Sequence, residues 1–153
     1  AIAHVVKDRG KVLLVDEAHG PHFRFHQDLP VSALEAGADI CVQSMHKILG
    51  AMTQASLLHV KGRGINVARI RNVLQLLQTT SPSYILMSSL DVARMQMATE
   101  GVEQLTRVIQ MAEEARGRLR QIPGLEVPLD IDSQASACRP RVCLQQLQRR
   151  QTA

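Results

Sequence analysis

The stretch "ADICVQSMHKILGAMTQAS", residues 38–56, joins an apolar run to a group of polar residues. Its first seven residues predict a strand over 38–44. That strand ends in Ser44, and a polar turn with His46 and Lys47 follows. A charged amine just past a buried strand is poorly solvated, so the position of Lys47 calls for a chemical explanation.

Three flanking segments predict the rest of an α/β unit. "KVLLVD", residues 11–16, is a short apolar run that predicts a buried parallel strand ending at Asp16. "PVSALEAG", residues 30–37, opens with proline and closes with glycine, which is typical of a short helix. "ASLLHV", residues 55–60, predicts a third strand. With a helix in the first ten residues, this alternation indicates an α/β fold around a thin sheet with exposed edges.

The second half of the chain predicts three helices. Asn66 caps the first, over 67–78, the second runs from Ser81 to about Met97, and the third covers about 99–119 before Pro123. The first and third have an apolar face, formed by Val67, Ile70, Val73, Leu74 and Leu77 in the first and by Val102, Leu105, Ile109 and Ala112 in the third.

The charge of the chain is concentrated in its tail. The net charge is +4, every acidic residue lies at or before Asp132, and the excess comes from four arginines beyond it. The segment from Ser133 has no sustained period, and we expect residues 126–153 to be a weakly ordered tail after a unit over 1–125. With an aromatic content of only 2%, too few side chains are present to stack on bases, so no nucleic-acid surface is expected.

Cysteine use and hydropathy favour a cytoplasmic protein. The cysteines are odd in number and lack metal-ligand spacing, and Cys41 falls in an apolar strand where a reduced thiol acts as a small hydrophobe. No apolar stretch reaches the roughly eighteen residues that a membrane span needs, and no signal peptide is recognisable. Since the chain begins inside a predicted helix, we expect it to be a piece of something longer.

Two strands end in reactive groups. Ligands of open α/β sheets bind beyond the carboxyl ends of the strands. If the strands at 11–16 and 38–44 are neighbours, Asp16 and Lys47 face one crevice. The pattern alone leaves two interpretations open, a structural ion pair and a chemical site.

The spacing around Lys47 resembles a known signature. It matches the pyridoxal-phosphate attachment motif of the Orn/Lys/Arg decarboxylase major-domain family at every defined position, which are Val42, Ser44, His46, Lys47, Gly50, Ala51, Thr53, Gln54, Ala55 and Ser56. The segments "LLVDEAHGPHFRFHQDLPVSALEAGAD" and "LQTTSPSYILMSSLDVAR" also resemble that family, in the right order. The resemblance covers residues 1 to about 125. It implies part of a three-layer large domain of the aspartate-aminotransferase type.

The resemblance implies a catalytic role for three residues. Lys47 would form a Schiff base with the aldehyde of pyridoxal 5'-phosphate, and partial desolvation would lower the pKa of this amine. Asp16 would pair with the pyridine nitrogen and keep it protonated, which strengthens the ring as an electron acceptor. His19 would lie against the ring near its phenolic oxygen. A turn histidine bonded to backbone is the alternative for His19.

The remaining expected cofactor contacts are to phosphate. By resemblance, Ser44 and His46 contact the phosphate through a hydroxyl and a ring nitrogen. Thr80 and Ser81, in "TTSPS", would reach it across a dimer interface, although helix capping explains Ser81 equally well.

The implied activity is decarboxylation of arginine, lysine or ornithine in polyamine biosynthesis, by a homodimer or higher oligomer. The sequence does not discriminate among these substrates. The main alternative is a truncated, inactive fragment or interaction remnant, because the family's other cofactor and substrate residues have no counterpart here.

Two further site types are not supported. "DEAH" also occurs in ATP-hydrolysing helicases, but no phosphate-binding G-x-x-x-x-G-K-[ST] loop accompanies it. His19, His22 and His26 are close in sequence, but they lie in a loop without a cysteine pair, so no metal site is expected.

Overall fold

One small mixed sheet organises the chain, whose structure is a computed structural model describing residues 2–62, 64–125 and 127. In chain order, the helices and strands are α1 (Ile2–Asp8), β1 (Leu14–Asp16), β2 (Ile40–Ser44), α2 (Met45–Ile48), β3 (Ser56–Val60), α3 (Val67–Leu77) and α4 (Tyr84–Arg120), and a 3₁₀ turn covers Phe23–Phe25.

The strand order is β1-β2-β3, with β2 in the centre. β1 pairs with β2 in parallel, and Asp16 is in register with Val42. β3 pairs antiparallel to β2, with Ser44 opposite Ser56. The predicted α/β class, the three strands and the parallel pairing of the first strand are therefore confirmed.

The prediction that the first strand is buried is wrong. Leu14 is 58% exposed, and only Val15 of β1 is partly buried. The reason is that β1 is an edge strand, and the face carrying Leu14 is open to solvent.

The prediction of a helix over 30–37 is also wrong, although the segment does end at its glycine as predicted. The segment forms a single turn, with Ala36 N donating to Ser32 O at 2.8 Å and Ala38 N donating to Ala33 O at 2.8 Å. Gly37 has a φ of +101°, a conformation that glycine adopts easily, and it ends the turn at once. One turn fixes too few backbone hydrogen bonds to propagate as a helix.

The helix predicted after Asn66 is confirmed as α3. The Asn66 side chain accepts a hydrogen bond from Arg69 N at 2.9 Å, as an N-cap does. Its apolar face, however, is not buried: Leu77 is 78% exposed, and none of the α3 residues is buried. Amphipathic spacing predicted the helix correctly but not a packing partner for it.

The two helices predicted over 81–97 and 99–119 form one continuous helix, α4. Its N-cap is Ser83, whose hydroxyl accepts from Leu86 N at 3.4 Å, so the capping explanation for Ser81 is wrong. The helix runs through Thr99, whose hydroxyl donates back to Met95 O at 3.0 Å. Gly101 is buried because the Phe23–Phe25 turn packs there, leaving 3.4 Å between Phe25 Cβ and an added Cβ.

The described residues form two small hydrophobic cores. One joins α4 to the loop before residue 30 through Leu29, Met97 and Leu105, with Phe23 and Phe25 packed against it. The other packs the 33–38 turn against the sheet, and its buried members are Ala33, Ala38 and Cys41.

Within the ranges that the structure describes, no helix is long and apolar enough to cross a membrane. Apart from residue 127, the predicted 126–153 tail lies outside those ranges, and so do Cys138 and Cys143.

We expect Leu105→Ala to lower the free energy of unfolding by about 2–5 kcal/mol, because Leu105 is only 9% exposed and its loss leaves a cavity between α4 and Leu29. The matched control is Val102→Ala, one turn away and 66% exposed, which should change it by less than about 0.5 kcal/mol. Urea unfolding followed by circular dichroism measures both. Equal effects would contradict the assignment of this core.

Candidate active site

The carboxyl ends of β1 and β2 bring the predicted site residues to one edge of the sheet. Asp16 is in register with Val42, and Ser44 ends the same strand. Two hydrogen bonds continue the pairing past the strand ends, from Glu17 N to Val42 O at 2.9 Å and from Ser44 N to Ala18 O at 3.2 Å.

Side chains along the two strands divide between the faces of the sheet. Register partners project to the same face, and successive residues alternate. Asp16, Val42 and Ser44 therefore share one face, while Cys41 and Gln43 project from the other. The two candidate cofactor ligands at the strand ends are on the same side, as a common site requires.

One oxygen of the Asp16 carboxylate is held by its own turn. Asp16 Oδ1 accepts a hydrogen bond from Ala18 N at 3.0 Å. Oδ2 has no partner among the residues described, and the side chain is exposed. The carboxylate is thus oriented and still able to accept a proton or a hydrogen bond.

Lys47 lies in α2, a one-turn helix, where the sequence predicted a polar turn. Its side chain is exposed among the described residues, so the prediction that the Lys47 amine is partly desolvated is wrong there. Lys47 and Asp16 form no ion pair, which removes the purely structural interpretation of these two residues. The amine has no hydrogen-bond partner within the described ranges and is open to solvent.

His46 and Ser44 present polar atoms beside Lys47. His46 Nδ1 lies 2.9 Å from Ala55 O. A carbonyl oxygen only accepts, so Nδ1 is the protonated nitrogen and Nε2 is left for a ligand. The Ser44 hydroxyl does not cap α2 and has no partner among the described residues.

The other predicted residues are not brought against Lys47. His19 is exposed in the turn after Asp16 and makes no hydrogen bond within the described ranges, so the backbone-bonded alternative is not observed. Thr80 and Ser81 are exposed in the α3–α4 loop, where Ser81 N donates to Thr79 Oγ1 at 3.2 Å. No hydrogen bond or ion pair among the described residues joins that loop to Ser44–Lys47, and the phosphate role of Thr80 and Ser81 remains a prediction.

Sequence reasoning missed Glu17 and Gln43 on the opposite face. Gln43 Nε2 donates to Glu17 Oε2 at 2.7 Å, directly behind Asp16 and Ser44. Burial, followed by the nearby Glu17 charge, raises the pKa of the Cys41 thiol to about 12. The available signal was the polar Gln43, which follows the apolar residues Ile40–Val42 within β2.

The donor set fits the reactive parts of pyridoxal phosphate. Lys47 supplies a free amine for an aldehyde, Asp16 an acceptor for a pyridine N–H, and Ser44 and His46 two groups for a phosphate. Within the described part of the chain, no group of three His, Cys, Asp or Glu side chains is arranged to hold a metal ion.

Comparison with known proteins identifies the family. The model of the Orn/Lys/Arg decarboxylase major domain matches residues 1–140. The chain belongs to that family. Ser44, which the sequence predicts as a cofactor residue, ends β2, and the predicted His46 and Lys47 lie in α2 directly after it.

The relatives are much longer than this chain. An arginine decarboxylase of Bacillus anthracis is 48% identical over 116 residues, which are 76% of this chain and 24% of that protein. A lysine decarboxylase of Pseudomonas aeruginosa is 31% identical over 139 residues, covering 84% of this chain and 18% of that protein. The solved structure of the constitutive lysine decarboxylase of Escherichia coli superposes with a TM-score of 0.62 at 26% identity, over 80% of this chain and 19% of the other.

We expect the Cys41 thiol to react roughly a thousandfold more slowly in the folded chain than in urea, because its raised pKa leaves little thiolate below pH 9. Because the pKa of Cys41 is raised from 9.0 to about 12, the folded state favours the protonated thiol. The stability that this preference contributes is present below pH 9 and is lost as the pH rises towards 12. Iodoacetamide labelling of a Cys138→Ser/Cys143→Ser chain at pH 8 measures this. Equal rates in buffer and in urea would contradict it.

Proposed function

We propose that this chain provides the lysine-bearing half of a pyridoxal-phosphate site in a basic amino-acid decarboxylase. The observation that carries the proposal is the parallel β1–β2 pairing, which places Asp16 at the same end of the sheet as Ser44–Lys47. The names of the relatives, arginine decarboxylase and lysine decarboxylase, support the substrate class. Which of arginine, lysine or ornithine is used is left open.

Each residue has a separate task in this proposal. The Lys47 amine would hold the cofactor by bonding to its aldehyde. Asp16 would accept the pyridine N–H through Oδ2, and its carboxylate is already oriented because Oδ1 accepts from Ala18 N. Ser44 donates its hydroxyl to the phosphate, and His46 donates from Nε2 when the ring is protonated. His19 would lie beside the ring, and Thr80 and Ser81 would reach the phosphate across a dimer interface.

The bound cofactor supplies an electron-withdrawing ring that accepts the electron pair left when CO2 departs. A charged Asp16 maintains that capacity because it favours a protonated ring nitrogen. We further infer that the full assembly is a homodimer or larger oligomer that acts in polyamine biosynthesis. A cytosolic location is supported by the free, buried thiol of Cys41.

A catalytically inactive fragment is the second candidate, and one observation favours it. Lys47 and Asp16 are both exposed. Decarboxylation relies on a site that excludes water, and the described residues leave this one open.

The deciding experiment adds pyridoxal phosphate to the purified chain, reduces the mixture with borohydride, and maps the product by peptide mass spectrometry. We expect the adduct on Lys47 to form with an apparent Kd at least about ten-fold lower than at other lysines, a difference of about 1.4 kcal/mol. Asp16, Ser44 and His46 are the source of that preference.

Lys47→Ala should abolish the preferred adduct, whereas Lys11→Ala, at an exposed lysine before β1, should leave it unchanged. An adduct spread evenly over the lysines would refute the cofactor site. Release of CO2 from labelled arginine, lysine or ornithine then separates the candidates: release supports a catalytic chain, and an adduct without release supports half a site.

A further inference from the structure

The Glu17 carboxylate connects three segments behind the candidate site. Oε1 accepts from Ala33 N at 2.7 Å, and Oε2 accepts from Gln43 Nε2 at 2.7 Å. Cys41 Sγ lies 3.5 Å from the same Oε2. A single side chain therefore joins the turn after β1 to the middle of β2 and to the turn at residues 33–37.

Gly20 shows that the backbone is built around this carboxylate. A Cβ added to Gly20 would lie 2.8 Å from Glu17 Cδ and 2.7 Å from Phe23 Cε2, closer than real Cβ atoms approach. The turn therefore closes over the Glu17 side chain only because residue 20 is glycine.

Gln43 extends the connection to β3. Its Nε2 donates to Glu17, so its Oε1 is left to accept from His59 Nε2 at 3.0 Å. Because Cys41 is in register with His59, these side chains lie on one face of the sheet. Asp16 and Ser44 lie on the opposite face, within one residue of Glu17 and Gln43 in sequence.

We propose that Glu17 is a positioning residue that fixes Asp16 relative to Ser44–Lys47 by bonding Gln43 through the back of the sheet. The proposal rests on the cofactor site proposed above. Glu17 follows Asp16 directly, and Gln43 precedes Ser44 directly, so the side-chain bond between them sets the spacing of the two strand ends. A charged acceptor holds two donors at once, which a neutral side chain of the same size does not do.

The test variant is Glu17→Gln, which keeps the shape of the side chain. Its amide oxygen can replace one acceptor, but its NH2 group then faces a donor, either Ala33 N or Gln43 Nε2. We expect pyridoxal phosphate affinity, measured by the reducible Lys47 adduct, to fall by about ten-fold, as for residues that orient ligands from behind. We also expect faster hydrogen exchange at the Ala33 amide.

The exchange variant Glu17→Gln/Gln43→Glu separates positioning from general damage. In it, the amide introduced at position 17 donates its NH2 group to the carboxylate introduced at position 43, and its oxygen accepts from Ala33 N. That carboxylate also accepts from His59 Nε2. Ala33 N and His59 Nε2 again have acceptors, and only the longer contacts of Cys41 Sγ and Gly20 O are lost. We therefore expect affinity and Ala33 exchange to return to within about two-fold of the original values.

Two controls complete the design. Glu113→Gln removes the same charge at an exposed position on α4 and should leave affinity unchanged. Leu105→Ala weakens the core formed by Leu29, Met97 and Leu105, of which Glu17 is not a member. Affinities are corrected for the unfolded fraction. The positioning role is overturned if Glu17→Gln lowers the affinity no more than Leu105→Ala does. It is also overturned if the exchange variant does not recover the original affinity.

The same data distinguish the two proposals. If the original chain forms no preferred adduct at Lys47, the cofactor site fails and the positioning role fails with it. If the original chain forms the adduct and Glu17→Gln forms it equally well, only the role of Glu17 fails.

Discussion

The parallel register of β1 with β2 is the constraint on which the site depends. It places Asp16 beside Val42, and so at the same sheet edge as Ser44 and the helix that carries Lys47. A slip of one residue would move the Asp16 carboxylate to the other face, because strand side chains alternate. Hydrogen bonds from Glu17 N and Ser44 N extend this register beyond the last paired residues.

The two faces of this sheet have different chemistry. One carries Asp16 and Ser44 and is open, with Leu14 58% exposed. The other carries Cys41, which is fully buried, together with Gln43 and the Glu17 carboxylate. Polar groups that support the site are thus on the packed side, where hydrogen bonds are less exposed to water, while the groups available to a ligand lie on the open side.

Sequence predicted those features that depend on local chemistry. The strand that ends at Asp16, the strand before Lys47 and the Asn66 cap are all set by short-range patterns, and the structure has them. The predictions failed where tertiary packing decides. The helix proposed for 30–37 is one turn, α4 continues through Thr99, and Leu14 is exposed. Glu17 was missed because its role arises from Ala33 and Gln43, which are distant in sequence.

The central claim, that the carboxylate of Asp16 and the amine of Lys47 serve one pyridine ring, has a direct spectroscopic test. Nitrogen NMR of pyridoxal phosphate, isotope-labelled at the ring nitrogen and attached to Lys47, reports whether that nitrogen is protonated. We expect a protonated nitrogen in the native chain at neutral pH and a neutral one in Asp16→Asn, with attachment retained. A neutral nitrogen in the native chain, or equal protonation in both, would contradict the claim.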